Sequence, residues 1–133
     1  MKISIITATY NSGKTLEDTI LSVLAQTHTD FEHIIIDGQS KDNTIAIVEQ
    51  YREKYQGRLR FVSEPDKGLY DAMNKGIRIA EGDVIGLLNS DDFYTSDDIL
   101  ANIAQQLGGS NLDAIYGDVH YVNPDNLKHN VRY

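Results

Sequence analysis

Between Lys2 and Leu88 short apolar runs break off, one after another, into polar loops, and each loop gives way to a stripe of apolar residues at helical spacing. That alternation leaves few folds open. Strand, loop and helix in succession require parallel strands joined by crossover helices, so the chain is expected to be an α/β protein: a Rossmann-like, mostly parallel sheet with helices on both faces. The first strand is read over Lys2 to Ala8 and the second over Phe31 to Ile36, both rich in isoleucine as strands buried on two faces are. Leu16, Ile20, Val23 and Leu24 mark the first helix, with Glu17, Asp18 and Ser22 on its polar side. Ile45, Val48, Tyr51 and Tyr55 mark the second, closed by Gly57. A third strand covers Leu59 to Ser63, and Leu69, Ala72, Met73, Ile77 and Ala80 line a third helix that Gly82 ends. The pair Asn74 and Gly76 marks tight packing of that helix.

The fourth run, Asp83 to Leu88, stops abruptly at Asn89-Ser90-Asp91-Asp92. Carboxylates are costly inside a protein, so two at a strand end belong on an open rim, which in open α/β sheets is where ligands sit. Neighbouring strand residues point to opposite sides, and Asp91 and Asp92 are therefore expected to do different jobs. Thr95-Ser96-Asp97-Asp98 has the pattern of a capping box before a helix carrying Ile99, Leu100, Ile103 and Leu107, with Gly108 and Gly109 at its end. A last strand is expected over Ala114 to Val122, and the tail from Asn123 to Tyr133 shows no periodicity.

Composition narrows the function. The 133 residues fit one domain, short for a complete two-substrate enzyme. A net charge of −8 argues against nucleic acid and anionic membranes as partners. Without cysteine there is no thiolate site, and no apolar run approaches the roughly 20 residues that span a bilayer. A cytoplasmic location is expected, or one at the inner face of the membrane reached through segments outside this sequence.

Three strand-end loops set an acid beside a glycine or an amide: Asp37 with Gly38, Asp66 with Gly68, and Asp91 with Asn89. On one rim they would converge on a nucleotide, with carboxylates accepting from base or ribose and glycine letting the backbone approach. Hard oxygen ligands favour Mg2+ or Mn2+, bridging Asp91 and phosphate oxygens. Plainer readings stand beside these. Asp37 to Asp42 reads equally as a turn with a helix cap, Asp91 and Asp92 as a solvated loop, and Tyr10 as a ring packed over the rim. His28, His33, His120 and His129 lack metal-ligand spacing and read as structural or surface residues. Neither a dinucleotide fingerprint nor a P-loop is present.

Taken together, Ser4-Ile5-Ile6-Thr7-Ala8-Thr9-Tyr10-Asn11, Ser22-Val23-Leu24-Ala25-Gln26-Thr27, Asp37-Gly38-Gln39-Ser40-Lys41-Asp42-Asn43-Thr44, Asp66-Lys67-Gly68-Leu69-Tyr70-Asp71-Ala72-Met73-Asn74-Lys75-Gly76 and Asn89-Ser90-Asp91-Asp92 resemble the nucleotide-sugar-binding half of inverting glycosyltransferases of family 2, which have the GT-A fold. The resemblance runs from Lys2 to Val122. It implies transfer of a sugar from a nucleoside diphosphate donor, UDP-sugars favoured, to a glycan or lipid-linked acceptor, in polysaccharide synthesis of the bacterial type. It places Ala8, Tyr10 and Asp37 at base and ribose, the Asp66 to Gly68 loop beside the nucleotide, and Asp91, followed by Asp92, at the metal.

Two departures stand out. Many members carry two aspartates where this chain has Asp37-Gly38, and Asn89 replaces the first aspartate of the D-x-D motif. The family's general base falls beyond residue 133, so the chain is expected to be truncated on its acceptor side. A non-catalytic nucleotide-sugar-binding module is the alternative, and a nucleotidyltransferase is disfavoured because no glycine-rich basic phosphate loop is present. Asp118, on the last expected strand, is read as facing the sugar or acceptor, or equally as a cap or a surface residue.

Overall fold

The computed structural model of the chain describes residues 1–108 and the strands Tyr121–Asn123 and Asn126–Arg132. Its elements run β1 (Ile3–Thr9), α1 (Leu16–Leu24), β2 (Phe31–Asp37), α2 (Thr44–Tyr51), β3 (Leu59–Ser63), α3 (Leu69–Ile79), β4 (Val84–Leu87) and α4 (Ile99–Gly108). The strands form one parallel sheet in the order β3-β2-β1-β4. The chain therefore steps outward twice, from β1 to β2 to β3, and then returns across the sheet to lay β4 on the other side of β1. Because crossovers are right-handed, the outward steps put α1 and α2 on one face and the returning step puts α3 on the opposite one.

The two faces are legible in the alternation along each strand. Ile3, Ile5, Phe31 and Ile35 pack with Leu16, Ile20, Val23, Val48 and Leu100 on the α1/α2 side. Ile6, Ile34 and Ile36 pack with Ala72 of α3, with Ala8 and Val62 beside them. Burying an isoleucine contributes roughly 1.5–3 kcal/mol, so this doubly covered centre dominates the stability. α3 reaches the sheet so closely because Gly76 has no side chain: a Cβ there would stand 2.6 Å from Ile6 Cγ2. Gly76→Ala is expected to lower the unfolding free energy by about 2 kcal/mol, read as a fall in the urea midpoint at unchanged slope. An unaltered midpoint would show that the helix lifts away without cost.

Polar side chains inside the sheet are all satisfied. His33 is fully buried, its Nε2 sharing a 2.8 Å hydrogen bond with Thr7 Oγ1 and its Nδ1 another of 2.8 Å with the Tyr55 hydroxyl. Burial pushes its pKa down to about 3. Its reading as a structural histidine holds, and His28 is likewise engaged, with the Met1 carbonyl. On the other face buried Glu32 accepts from Ser4 Oγ at 2.6 Å and from the Glu81 amide at 2.7 Å, with Arg60 at 3.4 Å. Burial works to raise the Glu32 pKa, but the Ser4 and Glu81 hydrogen bonds, the charge of Lys2 and Arg60 together hold it below the ordinary carboxylate value. These bonds fasten the turn between α3 and β4, so they set where β4 enters the sheet.

Four expectations need correction. α2 ends at Tyr51 and tightens into a 3-10 turn, Arg52–Tyr55, so Tyr55 reaches the core by that tighter path rather than on a continuous helical stripe. The left-handed residue that closes the turn is Gln56 (φ 52°), and Gly57 (φ 87°) follows it. Ser22 is not a solvent-side residue: its hydroxyl donates to the Thr19 carbonyl and accepts from the Tyr94 amide. The tail forms a strand, because Tyr121–Asn123 (β5) pairs antiparallel with Asn126–Arg132 (β6). The rest of the strand expected over Ala114 to Val122, with Gly109, Asp118 and His120, lies outside the described residues, as does the side chain of His129.

Candidate nucleotide-sugar site

Parallel strands in register bring equivalent positions side by side, and at the carboxyl edge Thr9, Asp37 and Ser63 are direct neighbours. Asp37, fully buried, takes a hydrogen bond from each flanking hydroxyl, Thr9 Oγ1 at 2.7 Å and Ser63 Oγ at 2.8 Å. Ser40 adds its amide at 2.9 Å and its hydroxyl at 2.5 Å. A carboxylate offers about four acceptor positions, and all of them are taken. Burial acts to raise the Asp37 pKa, but the Ser40, Thr9 and Ser63 hydrogen bonds outweigh it and leave the group more acidic than usual. Since Ile36 packs on the α3 side, strand alternation turns Asp37 to the opposite face.

The cavity opens on the α3 side of the same edge and measures about 580 Å³. Ala8, Thr9, Tyr10 and Ser12 line it from the end of β1, Gly38 and Gln39 from β2, Pro65, Asp66 and Gly68 from β3, Leu69 and Ala72 from α3, and Ser90 from β4. Tyr10 is 62% exposed, its ring free to lie over a ligand. Gly68 adopts φ 111°, a conformation that admits little but glycine, and its amide donates to Asp66 Oδ1 at 2.9 Å. Lys75 of α3 donates to the Pro65 carbonyl at 2.8 Å and lies 3.2 Å from Glu64, so the helix carries the loop that presents Asp66.

Of the residues singled out from sequence, the structure brings Ala8, Tyr10, Asp66 and Gly68 into one cavity wall. Asp37 stands behind that wall, while Asn89, Asp91 and Asp92 sit at its β4 end, where their neighbour Ser90 forms the lining. The turn there is held from α1. Thr15 Oγ1 donates to the Ser90 carbonyl at 2.8 Å, and Thr19 Oγ1 donates to the carbonyls of Ser90 and Asp92. Residues 15, 19 and 22 lie one helical step apart, so a single polar ridge of α1 fixes everything from Ser90 to Tyr94. The ridge ends at Gln26, whose Nε2 donates to the Ser96 carbonyl while its Oε1 accepts from the Leu100 amide. The cap of α4 therefore comes from α1 and not from the expected capping box, and Ser96 Oγ donates instead to Asp98 Oδ1. Sequence reading missed this ridge because Thr15, Thr19 and Gln26 become meaningful only once α1 lies against the β4 loop.

Asp91 and Asp92 differ as neighbours at a strand end should. Asp91 is exposed, whereas Asp92 is half-buried. Burial and the adjacent Asp91 charge raise the Asp92 pKa against a hydrogen bond with Asn89. Among the described residues no three acids, histidines or cysteines cluster as a closed metal cage. The exposed Asp91 carboxylate is a hard oxygen donor, the kind that suits a cation such as Mg2+, which keeps much of its shell for phosphate and water.

The model of glycosyl transferase family 2 matches residues 4–132. The chain belongs to that family. Among similar proteins, a PGL/p-HBAD biosynthesis glycosyltransferase of Mycobacterium bovis is 37% identical over 117 residues, 87% of this chain and 46% of that one. A glycosyltransferase of Mycobacterium tuberculosis, Rv1514c, is 39% identical over 108 residues, 80% of this chain and 40% of its own length. The chain thus spans less than half the length of these relatives. Among solved structures, TarS of S. aureus in complex with UDP-GlcNAc aligns with a TM-score of 0.76 at 31% identity, over 82% of this chain and 32% of that one. The mannosyltransferase PcManGT of Pyrobaculum calidifontis, in complex with GDP-Man and Mn2+, aligns with a TM-score of 0.73 at 26% identity, over 79% and 32%. The GT-A architecture expected from the motifs is the one these structures share. No helix among the described residues is long and apolar enough to cross a membrane.

Proposed function

We propose that this chain is the donor-binding half of a metal-dependent, inverting glycosyltransferase that uses a nucleoside diphosphate sugar and serves a glycan or lipid-linked acceptor. One observation carries the reading: a cavity at the sheet's carboxyl edge, beside the point where strand order reverses between β1 and β4, runs from an acid-bearing loop after β3 to Ser90 in the turn after β4, the residue that precedes Asp91 and Asp92. Strands β3 and β4 stand three strand spacings apart, about 14 Å, a breadth that accommodates an extended nucleoside diphosphate. Two structural neighbours hold nucleotide sugars, one of them with Mn2+.

In the transfer, an acceptor hydroxyl attacks the anomeric carbon, the bond from that carbon to the diphosphate oxygen breaks, and the hydroxyl proton passes to a general base. A divalent cation bound at Asp91 and Asp92 would neutralise the charge that develops on the departing diphosphate. Ala8, Tyr10, Asp66 and Gly68 hold the nucleoside, and Asn89 supports the metal turn. Asp37 serves from behind by ordering the Gly38 to Ser40 loop. The acceptor site and the general base are assigned to the additional length that the relatives possess.

Calorimetric titration with UDP is expected to show binding that strengthens at least tenfold when Mn2+ or Mg2+ is added. Binding indifferent to the metal, or none at all, would remove the donor-site reading.

A further inference from the structure

Of the two acids that the sequence offers to a nucleobase, only one has an oxygen to give. Asp37 is closed by Thr9, Ser40 and Ser63. Asp66 lines the cavity and spends Oδ1 on the Gly68 amide, and among the described residues its Oδ2 has no hydrogen-bond partner. The Oδ2 position is tied to the neighbouring loop, for a Cβ on Gly38 would stand 2.8 Å from it. The missing side chain at residue 38 is thus what lets a carboxylate from the β3 loop swing in over the end of β2. Asp66 follows β3, the edge strand on the opposite side of the sheet from β4, so a nucleotide with its phosphates at Asp91 would set its base toward Asp66.

We infer that Asp66, seated in the space left by Gly38, is the residue that reads the nucleobase, and that it selects a uracil-type base through the imide N–H. This rests on the donor-site reading above. A carboxylate only accepts hydrogen bonds. Uracil presents a ring N–H on its pairing edge, whereas cytosine presents a lone pair at the same ring position and repels the carboxylate.

The test compares UDP and CDP by calorimetry in Mn2+ for the parent, Asp66→Asn and Gly38→Ala. The parent is expected to prefer UDP by about 10- to 100-fold, as a charge-assisted hydrogen bond supplies. Asp66→Asn keeps the oxygen that accepts from Gly68 but carries donors, so its preference should collapse or turn toward CDP. Gly38→Ala, which crowds Oδ2, should narrow the ratio of UDP to CDP affinity. If UDP and CDP bind the parent equally, or Asp66→Asn weakens both alike, the base-reading role is refuted while the donor site survives. If neither nucleotide binds the parent, the donor-site reading fails and takes this assignment with it.

Discussion

The Asp91→Asn protein is expected to bind UDP about 100-fold more weakly than the parent in Mn2+, and as well as the parent when the metal is chelated. Asparagine keeps the size of the side chain and one carbonyl oxygen, so the turn held by Thr15 and Thr19 through the backbone carbonyls of Ser90 and Asp92 stays in place. What is lost is the charge at the exposed end of β4. Asp92, half-buried and hydrogen-bonded to Asn89, is left as the single carboxylate of the pair and cannot supply both charges. Calorimetry in Mn2+ and in chelator separates the outcomes: an equal loss in both conditions would mean that Asp91 supports the loop and holds no metal.

Acidification from pH 7 to pH 4 is expected to remove about 3 kcal/mol of stability through His33 alone. The native pKa lies near 3 and the unfolded value near 6.5, so below pH 6.5 the unfolded chain takes up a proton that the native one refuses. The contribution is complete above pH 6.5 and is lost as pH falls toward 3. Asp37 and Glu32, with native pKa values depressed, add their own losses only once the pH falls below their unfolded values near 4. Urea unfolding between pH 7 and 5 isolates the histidine. The His33→Gln protein, which retains a donor and an acceptor for Thr7 and Tyr55, should be flat over that interval, and an unchanged slope would place the titrating group elsewhere.

The fold was largely readable because strand burial leaves a mark on each residue. Runs such as Ile3 to Ile6 and Ile34 to Ile36 are covered on both faces, as the strands of a parallel sheet are. The cavity wall was readable in part, since Ala8, Tyr10, Asp66 and Gly68 sit where strand-end loops must gather. The role of Asp37 was not readable, for it depends on register: only when Thr9 and Ser63 stand beside it does an apparent ligand become a fully occupied clasp. The same applies to Gly38, whose meaning lies in a carboxylate 28 residues further on. The α4 cap was misread for a related reason, as local periodicity says nothing of a partner that arrives from another element.

The loops at the carboxyl edge are stitched to one another before any ligand arrives. Asn11 exchanges bonds with Ser40 and Lys41, the amides of Ser12 and Gly13 find Thr44 and Asp42, and Ser12 Oγ reaches Ser90. The freedom of those segments is surrendered during folding, so little remains to be surrendered on binding. A donor would meet a mould already set and leave it as quickly as its own contacts allow. Exchanging one nucleotide sugar for another over evolutionary time then calls for altering only the few side chains that project from the mould, with the stitching itself left untouched.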